Sequence, residues 1–448
     1  MASKTETKLM EEITSSLSYK LEELPSPESY RGWSIYKVPK RLRKLNEEAY
    51  TPKLVSIGPL HHGQPHLNSM ERYKVEYCKS FLGITRISLS YLIGQAIGWE
   101  EEVREHYQDT VTFSKEEFVE MFVLDGLFII MLFLKEKFPE KFNYKNLIVD
   151  NQWMLRELLH DMMLLENQLP SFVLVRLLDM VPQGFLVNIT FSELTHYYFR
   201  CVGNAYRVPT KEIKEPRIRR HLVEYLQTFH LLSSKEEGTL PNEGQCISRC
   251  FDITLGRYFD KFECPRSATE LHAAGIKFVK SQDPCILKIE FHENGELRIP
   301  QLKVNEWTET LFRNLIAFEQ CDHEPEYISS YIIFLDSLIN TPMDVDLLVK
   351  CEIIENSLGD SERVSDLFNN LYKETITEFS IFYFADICHK LNAYNKDYWH
   401  RWRATRYRWK VILKRDYFSN PWSVISVIAA IVLLLFAVAQ TVCSFMAL

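Results

Sequence analysis

The chain has 448 residues, 46% of them hydrophobic and 25% charged, which suits one large core or two smaller ones and excludes a disordered chain. Its formal net charge is -8, but seven basic groups crowd into residues 401–416, and the remainder carries 45 basic against 59 acidic side chains. So acidic a body excludes nucleic acid as the expected partner, because phosphate recognition rewards Lys and Arg.

Only 15 glycines are present, too few for Gly-lined phosphate loops or dense β-turns, so long helices are expected. Residues 1–30 are polar and end with Pro25 and Pro27 in extended backbone, which reads as a variable arm rather than a fold element. From Ser34 onward, Pro39, Pro52, Pro59 and Pro65 interrupt short apolar pieces. Each removes a donor and extends its predecessor, so the segment predicts a structured strap laid over the core. Helix begins over Met70–Phe81.

Between Lys115 and Phe138 the chain looks like a membrane span, but Asp125 and Gly126 interrupt it. The unbroken apolar run Leu127–Leu134 falls well short of the ~18 residues a span needs, so a buried core helix is expected. Apolar residues at Trp153/Met154, Leu158/Leu159 and Met162/Leu165 predict a helix within Asn146–Glu166. Further helices are expected over Ser171–Val181, Ser192–Val202 and Arg219–Ser233, so residues 31–232 form a mostly helical half. Residues 233–266 read as a linker or variable loop, polar and turn-rich over Ser233–Gln245. Its cysteines, Cys246 and Cys250 with Cys264, leave a bridge or a metal site open, while the scatter of the ten cysteines is unlike a secreted disulfide framework.

Ser267 and Glu270 make a capping box, and Gly275 stops that short helix. The period then changes to two. Leu287, Ile289 and Phe291 face one way, Asn294-Gly295 turns the chain, and Leu297 and Ile299 return, predicting a β-hairpin with Pro300 at an edge or bulge. Helices resume over Glu306–Cys321, Tyr327–Asn340, Asp344–Leu358 with Gly359 as its stop, Glu362–Lys373, and from Thr377 into a basic neck. The expected fold is therefore mainly α with a small antiparallel β-hairpin, an α+β body over residues 31–420, with 267–420 as its mixed half.

The tail completes that expectation. From Val424 to Val442 nothing is charged, and about 19 residues at ~1.5 Å each match a hydrocarbon core of about 30 Å, so 421–448 reads as a single C-terminal transmembrane helix. Ahead of it, Trp399, Trp402 and Trp409 share one helical face with Arg406, followed by Lys414, Arg415 and Trp422. This stripe either packs on the body or lies in a bilayer interface with anionic headgroups. Basic flanks and the lack of an apolar leader place the body in the cytosol, on a plasma membrane or endomembrane. A glycan on Asn188, the one sequon, would reverse that orientation.

His61, His62 and His66 are the most tempting chemical cluster, a metal or acid–base candidate. Adjacent residues of an extended strap point to opposite faces, which separates His61 from His62, and hydrogen bonds anchoring the strap are the competing reading. Glu166-Asn167-Gln168 and Asn314 with Glu319-Gln320 are polar groups beside apolar runs, read as satisfying backbone where helices stop. There is no GxSxG elbow, phosphate loop, dinucleotide fingerprint or kinase set, so no enzyme and no cofactor is expected.

Longer motifs carry a resemblance. Val55-Ser-Ile-Gly-Pro-Leu-His-His-Gly63, preceded by Ile35-Tyr-Lys-Val-Pro39 and Ala49-Tyr-Thr-Pro52, resembles the plant domain-of-unknown-function family two-four-seven. So do Asp125-Gly-Leu-Phe128, Leu164-Leu-Glu-Asn-Gln-Leu-Pro170, Ser267-Ala-Thr-Glu-Leu271, Asn314-Leu-Ile-Ala-Phe-Glu-Gln320, Ser330-Tyr-Ile-Ile-Phe-Leu-Asp336 and Asn420-Pro-Trp422. Leu60 departs from the aromatic expected there. The resemblance implies a membrane-anchored plant recognition or signalling protein that binds a protein or peptide partner, in pollen self-incompatibility, growth or defence. The alternatives are a membrane-associated hydrolase or metal enzyme using His61, His62 or His66, and a structural tether.

Overall fold

The computed structural model describes residues 4–22, 32–142, 148, 151–186, 189–202, 219–231, 264–283, 285–322, 325–376, 382–396, 433, 436 and 437. Helices dominate: α1 (Lys4–Glu22), α2 (Lys40–Arg43), α3 (Glu71–Thr85), α4 (Leu89–Ile97), α5 (Glu100–Glu105), α6 (Lys115–Lys137), α7 (Gln152–Met162), α8 (Ser171–Asp179), α9 (Gln183–Leu186), α10 (Phe191–Val202) and α11 (Leu222–Leu231). After α12 (Ala268–Ala273) come β1 (Lys277–Ser281), β2 (Glu290–Phe291), β3 (Glu296–Pro300) and β4 (Leu302–Val304). The chain continues through α13 (Thr308–Cys321), α14 (Tyr327–Leu338), α15 (Pro342–Lys350), β5 (Ile354–Asn356), α16 (Ser361–Leu371) and α17 (Ala385–Lys396). These fall into two compact units. The first comprises Met1–Glu243, Asn305–Ser329 and Lys373–Thr377; the second comprises Gly244–Val304, Ser330–Tyr372 and Glu378–Leu448.

The first unit is built around α6. Ser114 starts it, its hydroxyl accepting from the Glu117 N–H while the Glu117 carboxylate accepts from the Ser114 N–H, a complete capping box. Every residue from Gly126 to Leu134 is buried, so the helix is covered on all sides, by α3, α4, α8 and α10 among others. Each Leu, Ile or Phe so buried contributes about 1.5–3 kcal/mol.

The mainly helical fold with small sheets is as expected, but the single C-terminal transmembrane helix is not. No helix among the described residues is long and apolar enough to cross a membrane. The longest apolar helix among the described residues, α6, carries Asp125 in its middle and charged residues at both ends, and it is a core helix. Within 421–448 only Leu433, Phe436 and Ala437 are described, as helical, and the rest of that stretch lies outside the described residues. So do Trp399, Trp402, Arg406, Trp409, Lys414, Arg415 and Trp422. Part of the arm at 1–30 is helical. Residues 4–22 are the helix α1, whose Leu9, Met10, Ile13 and Leu17 recur at helical spacing and are all exposed.

In the second unit the hairpin is present but short. β2 pairs antiparallel with β3 through Glu290↔Arg298 and Phe291↔Leu297, and the His292 N–H donates to the Glu296 carbonyl across the turn. Gly295 has φ +83, which a side chain would strain. A third strand, β1, runs parallel to β3, so the order is β1-β3-β2 and Pro300 ends the central strand rather than marking an edge. A second, two-stranded sheet pairs β4 with β5 in parallel. Its β5 replaces the end of the helix expected over Asp344–Leu358. The helix stops at Lys350, Glu352 turns left-handed at φ +57, and the Ile353 N–H donates back to the Leu348 carbonyl.

Buried Asp344 fastens two helix starts in this unit. One carboxylate oxygen accepts from the Thr269 N–H at 2.8 Å and its hydroxyl at 2.7 Å, the other from the Thr341 N–H at 2.9 Å and its hydroxyl at 2.8 Å. Burial works to raise its carboxyl, but these donors outweigh it and hold it below the ordinary 3.8. A lowered carboxylate gives stability that is fully present above pH 3.8 and is lost as the pH falls through the lower folded value. Asp344→Asn is therefore expected to cost roughly 1–3 kcal/mol at neutral pH. In urea titrations the gap to the wild type should narrow once the pH drops below 3.8; a gap that stays constant would contradict this account.

Candidate functional site

The strap from Ser34 to Met70 is almost without regular structure, so its backbone donors must find partners elsewhere. Six of them are met by side chains of the helical core. The Val38 N–H donates to Glu166 at 2.7 Å, those of Lys53, Leu54 and Val55 to Asp161 at 2.8, 2.7 and 2.8 Å, that of Ile57 to Asn167 at 2.7 Å, and that of Gly58 to Asp125 at 2.8 Å. Asn167 also donates to the Val55 carbonyl at 3.1 Å, and Asn314 donates to that of Ala49 at 2.7 Å. Gln168 bridges Met162 and Leu164 carbonyls to the Leu222 N–H. Thus the polar run after α7 satisfies backbone, as its sequence position suggested.

Charge is placed under the strap as well. Lys74 on α3, fully buried, donates to Asp125 and Glu71 at 2.6 Å each and to the Ser56 carbonyl at 2.8 Å. Burial works to lower its ammonium, but Asp125 and Glu71 more than offset this and hold it above the usual lysine range. Glu166 meets Arg43 at 2.6 Å and His61 at 3.2 Å. Although burial raises its carboxyl, His61, Arg43 and the Val38 amide together keep it below normal. Gly58 sits at φ +76, where a Cβ would lie 2.5 Å from the Gln168 carbonyl oxygen and 2.9 Å from the Tyr107 hydroxyl.

The three histidines are not brought to one centre. His61 is buried between Glu166 and Gln64, whose amide lies 2.9 Å from its Nδ1. His62 sets its ring edge-to-face with Phe113, 5.6 Å between centroids, and His66 lies 3.2 Å from the Pro52 carbonyl. Among the described residues no three His, Cys, Asp or Glu side chains are grouped to hold a metal ion. Cys264 is a free thiol, while Cys246, Cys250 and Asn188 lie outside the described residues.

A family model described as a plant protein of unknown function, DUF247, matches residues 35–436. The chain belongs to this family. It is 28% identical over 433 residues to the Arabidopsis thaliana "UPF0481 protein At3g47200", covering 91% of this chain and 85% of that one. It is also 23% identical over 512 residues to the "Putative UPF0481 protein At3g02645" of the same plant, covering 96% of this chain and 93% of the relative. No solved structure matches.

Several residues of this DUF247 network had no functional reading in the sequence. Asp161 and Lys74 were passed over, and Asp125 counted only as a break in an apolar run. Their signal is a charge set on the apolar face of a helix, which in a folded protein calls for a buried partner. Asn314 and Glu319 do as expected: Asn314 also accepts from the Leu165 N–H, and Glu319 accepts from the Ile328 and Ser329 N–H groups at 2.8 Å each.

Three substitutions separate the buried contacts from the exposed one. Lys74→Met strands the Asp125 carboxylate and is expected to cost about 3–5 kcal/mol. His61→Ala, removing a partner of buried Glu166, should cost roughly 1–3 kcal/mol, whereas exposed His66→Ala should stay within about 0.5 kcal/mol. Urea unfolding of the three variants checks the order; equal effects at His61 and His66 would contradict the placement.

Proposed function

We propose that this protein is a non-enzymatic recognition protein that binds a protein or peptide partner through its folded body. The observation that carries the reading is the use of the family's polar motif residues. Asp125, Glu166, Asn167, Gln168 and Asn314 are all buried and turned toward backbone groups or a paired charge, so they build a frame instead of lining a pocket of reacting groups. A fixed frame favours recognition, because a surface held rigid before binding loses less freedom when a partner docks. The resemblance adds the biological setting of plant growth, defence or pollen self-incompatibility.

A hydrolytic or metal-dependent reading has one contact in its favour, the His61 to Glu166 approach at 3.2 Å. A carboxylate beside an imidazole can orient a general base. Both groups are buried, however, and Glu166 also holds Arg43 and the Val38 N–H, so a substrate would have to displace the strap.

Immobilised full-length protein, exposed to extracts of the plant tissue that expresses it, tests the choice. The expected result is a reproducible partner that binds the purified chain saturably and is still bound by His61→Gln. Stoichiometric zinc in the pure protein, or turnover of an ester or phosphoester that His61→Gln abolishes, would reject it.

A further inference from the structure

The C-terminal end of α6 concentrates an unusual chemistry. Lys135 lies with its ammonium 4.0 Å from the centroid of the Tyr77 ring and 5.8 Å from that of Phe142. Lys137 stands 4.3 Å over Tyr197, and Lys141 is 4.7 Å from Phe138 and 4.8 Å from Phe185. Five such contacts come from three lysines within seven positions, and each ring face attracts the ammonium set over it. The two ends of the group are joined, because Phe142 and Phe185 pack edge-to-face at 5.7 Å.

None of the three ammonium groups meets a carboxylate within 4.0 Å among the described residues, and Lys141 donates to the Phe185 carbonyl. Ring faces favour a cation without neutralising it, and the partial negative charge of a helix C-terminus is about half a unit, so net positive charge remains here. Lys135, Lys137, Phe138, Phe142 and Tyr197 are all half-buried, so their exposed atoms form a firm aromatic surface bearing fixed cations. The acids nearby are Glu136, which burial pushes up toward the neutral form, Glu140, which is exposed, and Glu76 on α3, which is exposed, pairs with Arg72 and partly offsets the burial that lowers the Lys135 ammonium. Elsewhere the body is acidic, so an anionic partner is repelled except at such a place.

We infer that the end of α6 and the turn after it, with Lys135, Lys137 and Lys141 seated on aromatic rings, form a docking surface for an acidic peptide segment of a partner protein. The inference rests on the recognition reading above and names the chemistry of its partner. A peptide carrying carboxylates between apolar residues meets both features, with its charges on the ammonium groups and its apolar side chains on the ring edges. An anionic bilayer would be recognised by a broader basic face with apolar side chains free to insert, whereas these rings are already covered by their own lysines.

The test uses the full-length protein and a fluorescently labelled peptide of ten residues alternating Glu and Leu, read by anisotropy at low and moderate salt. Binding should weaken with salt and fall about tenfold in the triple variant Lys135→Gln, Lys137→Gln, Lys141→Gln, the sum of three modest charge contacts. A charge-matched control, Lys277→Gln, Lys288→Gln, Lys350→Gln, should bind as the wild type does, and both variants should unfold cooperatively. No binding by the wild type, equal loss in the two triple variants, or loss that tracks vesicles of phosphatidylserine instead of the peptide would overturn the inference. If the triple variant still captures the partner found in plant extracts, this surface is wrong while the recognition reading stands. If no partner is captured at all, that reading fails on its own.

Discussion

Six backbone N–H groups of an irregular strap have no neighbouring strand or helical turn to accept them, and the core supplies Glu166, Asp161, Asn167 and Asp125 instead. A buried amide left unpaired costs about as much as a lost hydrogen bond or more, so four acceptors serving six donors decide whether the strap lies down. The prolines explain why the arrangement exists. Pro39, Pro52 and Pro59 leave this segment no α-helix longer than the four-residue α2, and the side chains that replace a longer ladder come from α6, from the end of α7 and from the turn after it. Sequence-distant elements are thereby locked in one register: the strap cannot slide by a residue without misplacing every donor against its acceptor.

The electrostatics follow from this burial. Lys74 and Asp125 are nearly inaccessible and are tolerated because each has the other, with the Ser56 carbonyl and Gly58 amide completing their shells. His221 just ahead of α11, His230 on α11 and Glu319 on α13 sit in environments that disagree with water. Burial lowers His221 and His230 from 6.5 to about 4, and raises Glu319 from 4.5 to about 7 against four donors that favour its anion. The signs oppose each other. The two neutral histidines give stability that is lost as the pH falls from 6.5 toward 4, whereas the contribution of protonated Glu319, fully present below 4.5, is lost as the pH rises toward 7.

Much of this was legible from periodicity and punctuation. The apolar run with Asp125 at its centre gave away a core helix, the capping signals at Ser267 and the Asn294-Gly295 turn marked a helix start and a hairpin, and four prolines marked the strap. What sequence could not show is who accepts from whom. Asp161 and the Lys53–Val55 amides are more than a hundred positions apart, and only the folded chain makes them neighbours. Short strands failed for another reason. Three residues of β5, or five of β1 with a single buried side chain, carry too little alternation to be told from a helix end or a loop, and they are strands because β4 and β3 lie beside them. The N-terminal helix was missed because its apolar stripe sits among Ser, Thr, Lys and Glu, and the expected C-terminal span was argued from its length and lack of charge.

The central claim is that the strap is part of the core and opens only with it. Native-state hydrogen exchange measures this residue by residue. The amides of Val38, Lys53, Leu54, Val55, Ile57 and Gly58 should exchange with the same opening free energy as those of Ile129–Phe133 in α6, and both sets should weaken together in Asp161→Asn. Strap amides that exchange freely while α6 stays protected would contradict the account.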